Sequence, residues 1–334
     1  MRTLVTGGAG YIGSHVVLAL HERGDEVVVY DSLKSGRSGN LPPGVDLLHG
    51  DLRDAKTLDA AFAARGPFDA VVHLAAEKAA GVSMTDPARF TGVNVVGTAN
   101  LVHAMLERGC HALVFSSTAA VYGEPRRVPI DESHPTDPVN WYGATKLESE
   151  RMLGWYGRLT PLRSVALRYF NAAGLDPRGR VLHREPDATN LIPVVLDAAA
   201  GLRPGPVRVF GDGFDTPDGT GVRDYVHVTD LAAAHLAALD ELTTGGGDAG
   251  HAGSHVALNL GTGAGHSVLE VLAAARRITG RGIPSVVAAA RPGDPARVYA
   301  SAAAARERWG WEPRHSGLDE LLSTAWAAYE PAAS

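Results

Sequence analysis

The sequence predicts a doubly wound α/β fold: a parallel sheet with helices on both faces, followed by a smaller α/β lobe. Three observations predict it. Strand and helix patterns alternate at short intervals through the first half of the 334 residues, as a parallel sheet requires. A glycine-rich turn follows the first strand pattern and opens the first helix pattern. Beyond residue 171 the apolar segments shorten, and Gly, Pro and Asp crowd 174–186 and 201–221, which marks a second, looser lobe.

Taken in order, residues 3–6 read as a buried strand, because apolar residues run without polar alternation, as in strands covered on both faces. A helix pattern at 10–23 follows, then strands at 26–30 and 47–49 and a helix at 55–64. A strand at 69–74, a helix at 87–108, a strand at 112–116, a helix at 142–155 and a strand at 164–169 complete the alternation. Residues 224–242 read again as strand then helix. The expected division is a sheet domain over 1–175, with 222–250 returning to it, and a second lobe over 176–334. The run 245–254, GGGDAGHAGS, reads as a flexible surface loop.

Composition narrows the function. Hydrophobic residues make up 45% and charged residues 20%, enough for a sizeable core. A formal charge of −6 offers no basic field to nucleic acid or to an anionic membrane. Cys110 is the only cysteine, so there is no disulfide framework and no cysteine-rich metal site; no metal is expected. No apolar run approaches the ~18 residues of a membrane span. Met1–Val5 enters the first strand directly, so a cytoplasmic protein without a leader is expected. Of the 31 basic residues only Lys34, Lys56, Lys78 and Lys146 are lysines. A lysine in such a chain invites a chemical explanation.

The glycine turn contains Gly7, Gly10 and Gly13, with Tyr11 and Ile12 opening the helix. A pyrophosphate can approach backbone N–H groups at a helix N-terminus only where no Cβ intervenes. Asp31 closes the second strand, 18 residues after Gly13. An acid there accepts the adenosine ribose hydroxyls and repels a 2′-phosphate, which selects NAD over NADP. Asp51 and Leu52, after the third strand, suit the passage of an adenine ring, although Asp51 equally suits the start of the next helix. Leu74 and Ala75 end the fourth strand with room for a cofactor.

Tyr142 and Lys146 lie four residues apart, hence on one helix face. A phenol with a pKa near ~10 is a poor base, and a neighbouring ammonium lowers it. Lysine suits this better than arginine, whose charge is delocalised. Thr118 ends the fifth strand, where ligands of doubly wound sheets bind, and is the first choice to hydrogen-bond the tyrosine and a substrate hydroxyl. Ser116 and Ser117 are supporting contacts.

These residues together resemble the extended short-chain dehydrogenase/reductase family, and within it the nucleotide-sugar 4-epimerases. The matching segments run almost end to end: VTGGAGYIGSH (5–15), HLAAEKA (73–79), NVVGTANL (94–101), FSSTAAVYGE (115–124), WYGATKLESE (141–150), LRYFNAAG (167–174), NLIP (190–193), FGDGFDTPDGTGVRDYVHVTDLA (210–232), LNLGTG (258–263) and RPGD (291–294). The resemblance implies a Rossmann-type domain, NAD as cofactor, a UDP-hexose substrate and epimerisation at C4. It assigns Tyr142 as base, Lys146 as its partner on the nicotinamide ribose, and Thr118 beside them. It adds Lys78, Asn94, Ser116 and Phe170 as cofactor contacts. Asn171, Asn190, Leu191, Phe210, Arg223 and Arg291 become UDP-sugar contacts, with Asp294 on the uridine ribose. Two guanidinium forks suit a diphosphate.

Related dehydratases place an Asp-Glu pair just after the strand-5 threonine, where this chain has Ala119 and Ala120. Epimerases restricted to glucose and galactose carry a large Tyr where this chain has Val298. The smaller residue implies room for a 2-acetamido group. A homodimer is expected through helices 87–108 and 142–155, with Leu147, Trp155 and Tyr156 as the apolar contribution.

Overall fold

A computed structural model describes residues 1–182, 188–244, 253–291 and 293–329. The chain divides into two compact units, Met1–Gly123 with Pro135–Arg168 and Ala232–Asn259, and Glu124–His134 with Tyr169–Leu231 and Leu260–Ser334.

In the first unit, strands β1 (Arg2–Thr6), β2 (Glu26–Asp31), β3 (Asp46–His49), β4 (Ala70–His73), β5 (Ala112–Ser116) and β6 (Arg163–Tyr169) follow the sequence expectation closely. Among the described residues, a seven-stranded sheet runs in the order Ser254–Leu260, β6, β5, β4, β1, β2, β3. Thr3 pairs with Val27 on one side and Ala70 on the other, both parallel. The chain therefore reverses its direction of winding between β1 and β4, the place where such sheets bind ligands beyond their strand ends. The core packs Leu4, Val28, Val71, Leu113 and Ala166 against Leu58, Phe62, Leu101 and Met105 from the helices. Helix Tyr11–Arg23 ends at Gly24, which adopts a left-handed φ of +88°, a conformation glycine takes without strain.

Two helix expectations change in detail. The span read as one helix at 87–108 is Pro87–Phe90, a π-helical turn over Thr91–Val96, and Gly97–Glu107. The helix read at 142–155 runs from Trp141 to Leu159, capped by Asn140 Oδ1 on the Gly143 N–H at 2.9 Å.

The second unit has its own core of Ile192, Val195, Val207, Val209, Val271, Leu272, Leu321 and Leu322. The boundary expected at 175 falls after Arg168, because Asn171–Ala173 already pairs in parallel with Tyr225–His227. The returning segment begins at Ala232 rather than 222, for the same reason. Residues 245–252 of the expected glycine-rich loop, 183–187 of the Pro- and Asp-rich stretch, and Pro292 of the RPGD motif lie outside the described residues. Among the described residues no helix is long and apolar enough to cross a membrane.

Candidate active site

The turn after β1 is shaped by close backbone approach. Gly7 has a φ of +72°, and a Cβ there would stand 2.5 Å from the Ala75 nitrogen. A Cβ on Gly13 would run into the Gly7 carbonyl. Gly10 precedes the helix Tyr11–Arg23 and supplies no capping side chain, so the first turn through Tyr11, Ile12 and Gly13 meets an approaching anion with backbone N–H groups. Asp31, 7% exposed, stands beside this turn: its carboxylate accepts from Ala9 N at 3.0 Å and Leu33 N at 2.8 Å. These residues fit a dinucleotide, since the cradle has no room for side chains and the acid stands at its edge. Buried Asn40 also belongs to the turn, donating Nδ2 to the Ala9 carbonyl at 3.0 Å. It ends the three-residue 3₁₀ turn Ser38–Asn40, too short to show a period, so nothing in the sequence singles it out.

Of the two openings left for Asp51, the helix start belongs to Asp54 instead, which accepts from Lys56 N and Thr57 N. Asp51 is gripped by Arg53 at 3.0 and 2.6 Å; that hydrogen bond and charge hold its carboxyl down to about 2. Leu52 is 4% exposed and its side chain belongs to the core. Leu74 is half-buried, Ala75 backs onto Gly7, and Lys78 is exposed in the loop after β4. Buried Asn94 lies in the π-helical turn. Its Oδ1 accepts from Glu77 N at 2.8 Å, and its Nδ2 donates to Glu77 O at 3.0 Å and Thr145 Oγ1 at 2.9 Å. The amide thus positions the Glu77–Lys78 segment against the helix Trp141–Leu159.

Tyr142 and Lys146 lie on that helix as the spacing requires. Burial raises the Tyr142 pKa above its ordinary 10, and the Thr118 hydroxyl nearby opposes the rise. The Lys146 ammonium, expected to lower it, is engaged elsewhere. Only 2% exposed, Lys146 donates Nζ to the Ser116 carbonyl at 2.8 Å and lies over the Phe115 ring at 4.8 Å. Burial pulls Lys146 down to about 7, with Glu150 opposing. Thr118 starts the 3₁₀ turn Ala119–Tyr122, its Oγ1 accepting from Ala120 N at 3.2 Å. Ser116 contributes its carbonyl, and the Ser117 hydroxyl is committed to Glu150; Ser117 therefore supports the helix rather than a ligand. Glu150 is a residue sequence reasoning missed, although the series 142, 146, 150 on one helix face was the signal available.

The second unit holds the remaining candidates. Arg223 pairs in register with Val298 and makes an ion pair with Asp294. The Arg291 guanidinium lies over the Phe210 ring at 3.9 Å. Asn171 donates Nδ2 to the Asp224 carbonyl at 2.9 Å. Asn190 is exposed and precedes the helix Leu191–Ala199, with Leu191 half-buried in its first turn. Phe170 follows β6, half-buried. The structure thus groups Arg223 with Asp294 and Val298, and Arg291 with Phe210.

A family model described as the NAD dependent epimerase/dehydratase family matches residues 3–261. The UDP-glucose 4-epimerase of Halalkalibacterium halodurans is 46% identical, over 98% of this chain and 95% of its own. Among solved structures, UDP-glucose 4-epimerase from Brucella ovis in complex with NAD superposes with a TM-score of 0.93 at 41% identity, covering 98% of both chains. The enzyme from Bifidobacterium longum, in complex with NAD+ and UDP, gives 0.88 at 35% identity, covering 98% of this chain and 97% of that one.

Proposed function

We infer the reaction from one premise: the chain belongs to the NAD-dependent epimerase/dehydratase family. It interconverts UDP-galactose and UDP-glucose by inverting C4 of the hexose. The observation that carries this reading is Thr118 beside Tyr142, whose helix face also bears Lys146, next to a strand end where Ala119 and Ala120 offer no second acid or base for dehydration.

NAD, when bound, supplies the hydride acceptor and donor for C4. The glycine turn and Asp31 hold it, and Asp31 turns away a 2′-phosphate. Thr118 and Tyr142 bind the C4 hydroxyl. The Tyr142 oxygen takes the hydroxyl proton as C4 is oxidised and returns it as C4 is reduced on the other face. A buried phenol is a weak base near neutrality, so Tyr142 depends on the Thr118 hydroxyl beside it, while Lys146 holds its ammonium on the same helix face against the Ser116 carbonyl. Between the two transfers the 4-keto sugar rotates while UDP remains anchored. Arg223 and Arg291 take the diphosphate, as guanidinium forks do, and Asp294 takes the uridine ribose. Asn171, Asn190, Leu191 and Phe210 complete the UDP-sugar contacts, and Asn94, Lys78 and Phe170 those of the cofactor.

The protein works as a cytoplasmic homodimer in this reading. Leu147 is 5% exposed and Tyr156 packs on the core, so neither serves an interface. Trp155, 59% exposed, and Leu159, 76% exposed, lie four residues apart on the same helix. They form an apolar face of the kind subunit contacts cover. Light scattering at micromolar concentration should report twice the chain mass; a monomer would remove the interface.

Incubating the purified protein with UDP-galactose, with no NAD added, tests the reaction. UDP-glucose is the expected product. A 4-keto-6-deoxy sugar, or no product with NAD supplied, would overturn the assignment.

A further inference from the structure

Two consecutive residues at the end of β5 each fasten a different residue of the helix Trp141–Leu159, and the next residue, Thr118, lies beside Tyr142. The Ser116 carbonyl accepts from Lys146 at 2.8 Å, and Ser117 Oγ donates to Glu150. Residues 142, 146 and 150 are successive positions on one helix face. Glu150 is itself buried, 4% exposed, and Arg168 of β6 grips both oxygens: Nε to Oε1 at 2.9 Å, and a terminal nitrogen to Oε2 at 2.5 Å. The other terminal nitrogen of Arg168 donates to Tyr122 at 3.0 Å, and Tyr122 donates to Asn259 at 2.7 Å. A buried ion pair adds little net stability over an apolar replacement, so its place here calls for another reason.

We propose that Glu150 is a positioning residue for Tyr142 and Lys146: anchored by Arg168, its carboxylate fixes, through Ser117, the register between the end of β5 and the catalytic helix. The proposal rests on the roles given above to Tyr142 and Lys146. A slip between strand end and helix would move Thr118 away from Tyr142 and the Ser116 carbonyl off the Lys146 ammonium together. Charge adds a second consequence. The groups around Lys146 are His73 from β4, the Ser116 carbonyl and Phe115 ring from β5, Tyr142 and Glu150 from its own helix, and Arg168 from β6 behind Glu150. His255, on the strand Ser254–Leu260, adjoins Glu150 and Arg168. Burial keeps both histidines neutral, His73 down to about 3 and His255 to about 4. The Glu150 carboxylate is the charge that holds the proton on Lys146.

The test uses purified protein carrying its NAD, with three variants compared. Ser117→Ala removes the register bond and leaves the ion pair intact. It should lower kcat about tenfold, since small misplacements of reacting groups are expensive, with KM for UDP-galactose within about twofold of wild type. Melting temperature should fall by no more than the few degrees that one lost charged hydrogen bond costs, and bound NAD should stay unchanged. Glu150→Gln should in addition move the alkaline limb of the kcat–pH profile to lower pH, because Lys146 loses its nearest anion. Should Glu150→Gln fail to fold, Ser117→Ala decides alone. A wild-type kcat in Ser117→Ala, or a folded Glu150→Gln with an unmoved profile, overturns the proposal. Tyr142→Phe separates the two levels of the reading. If it stays active, the roles of the pair fall and this inference with them. If it is inactive while Ser117→Ala is unaffected, only the inference falls.

Discussion

Replacing Lys146 with methionine should abolish turnover and stabilise the fold, and both effects follow from the same buried ammonium. Burial moves its pKa from 10.5 to about 7, and at about 1.4 kcal/mol per pH unit the folded chain bears a charging penalty of about 5 kcal/mol at low pH. Methionine keeps the apolar stem but gives up the bond to the Ser116 carbonyl, a loss of about 2 kcal/mol for a charged donor. The net gain is about 3 kcal/mol near pH 6. The sign changes with pH in a fixed way. Below about 7 the lysine is charged in the folded and unfolded chain alike, and the penalty is complete. Between about 7 and 10.5 the unfolded chain holds a proton the folded chain lacks, so wild-type stability rises with pH. Above 10.5 both are neutral and the advantage of methionine disappears. Denaturant unfolding of both proteins near about pH 6 and about pH 10 measures this. A methionine variant less stable than wild type at the lower pH would show that the buried ammonium carries no such penalty.

Asp31→Ala should shift the cofactor preference toward NADP by about tenfold or more, because removing a repulsive group is enough to admit a competitor; competition binding of the two nucleotides reads it, and an unchanged ratio would contradict the placement. Gly13→Ala should destabilise the glycine turn and release NAD, seen as loss of cofactor absorbance after purification, because its Cβ meets the Gly7 carbonyl. Val298→Tyr should suppress activity on UDP-N-acetylhexosamines and spare UDP-galactose; equal loss on both, or no N-acetyl activity in wild type, would show that position 298 is not the gate.

Much of the first unit was legible because its signals are local. The uninterrupted apolar strands, the glycine turn, Asp31 at a strand end and the four-residue spacing of Tyr142 and Lys146 each depend on neighbours in sequence. What escaped depends on distant pairing. The end of the first unit at Arg168 follows from Asn171–Ala173 pairing with Tyr225–His227. Strands so far apart along the chain form a non-local contact, which no short window of sequence displays. The segment Glu124–His134 joins the second unit, where Ile130 bridges to Ala300, another contact no periodicity announces. The π-helical turn at Thr91–Val96 reads as ordinary helix, since apolar spacing cannot resolve one extra residue per turn. The bonds that Asn94 makes to Glu77 and Thr145 also join residues too far apart in sequence for any motif to show them. The helix start that Asp51 equally suited belongs to Asp54, and only its bonds from the Lys56 and Thr57 N–H groups decide this.

In this mechanism the hydrogen removed from C4 of the hexose is the one returned to it, while Tyr142 carries the hydroxyl proton. UDP-galactose deuterated at C4 tests this most directly, converted in ordinary water and examined by mass spectrometry and NMR. The expected product is UDP-glucose that keeps the deuterium at C4. Deuterium lost to solvent, or a product labelled at another carbon, would contradict it.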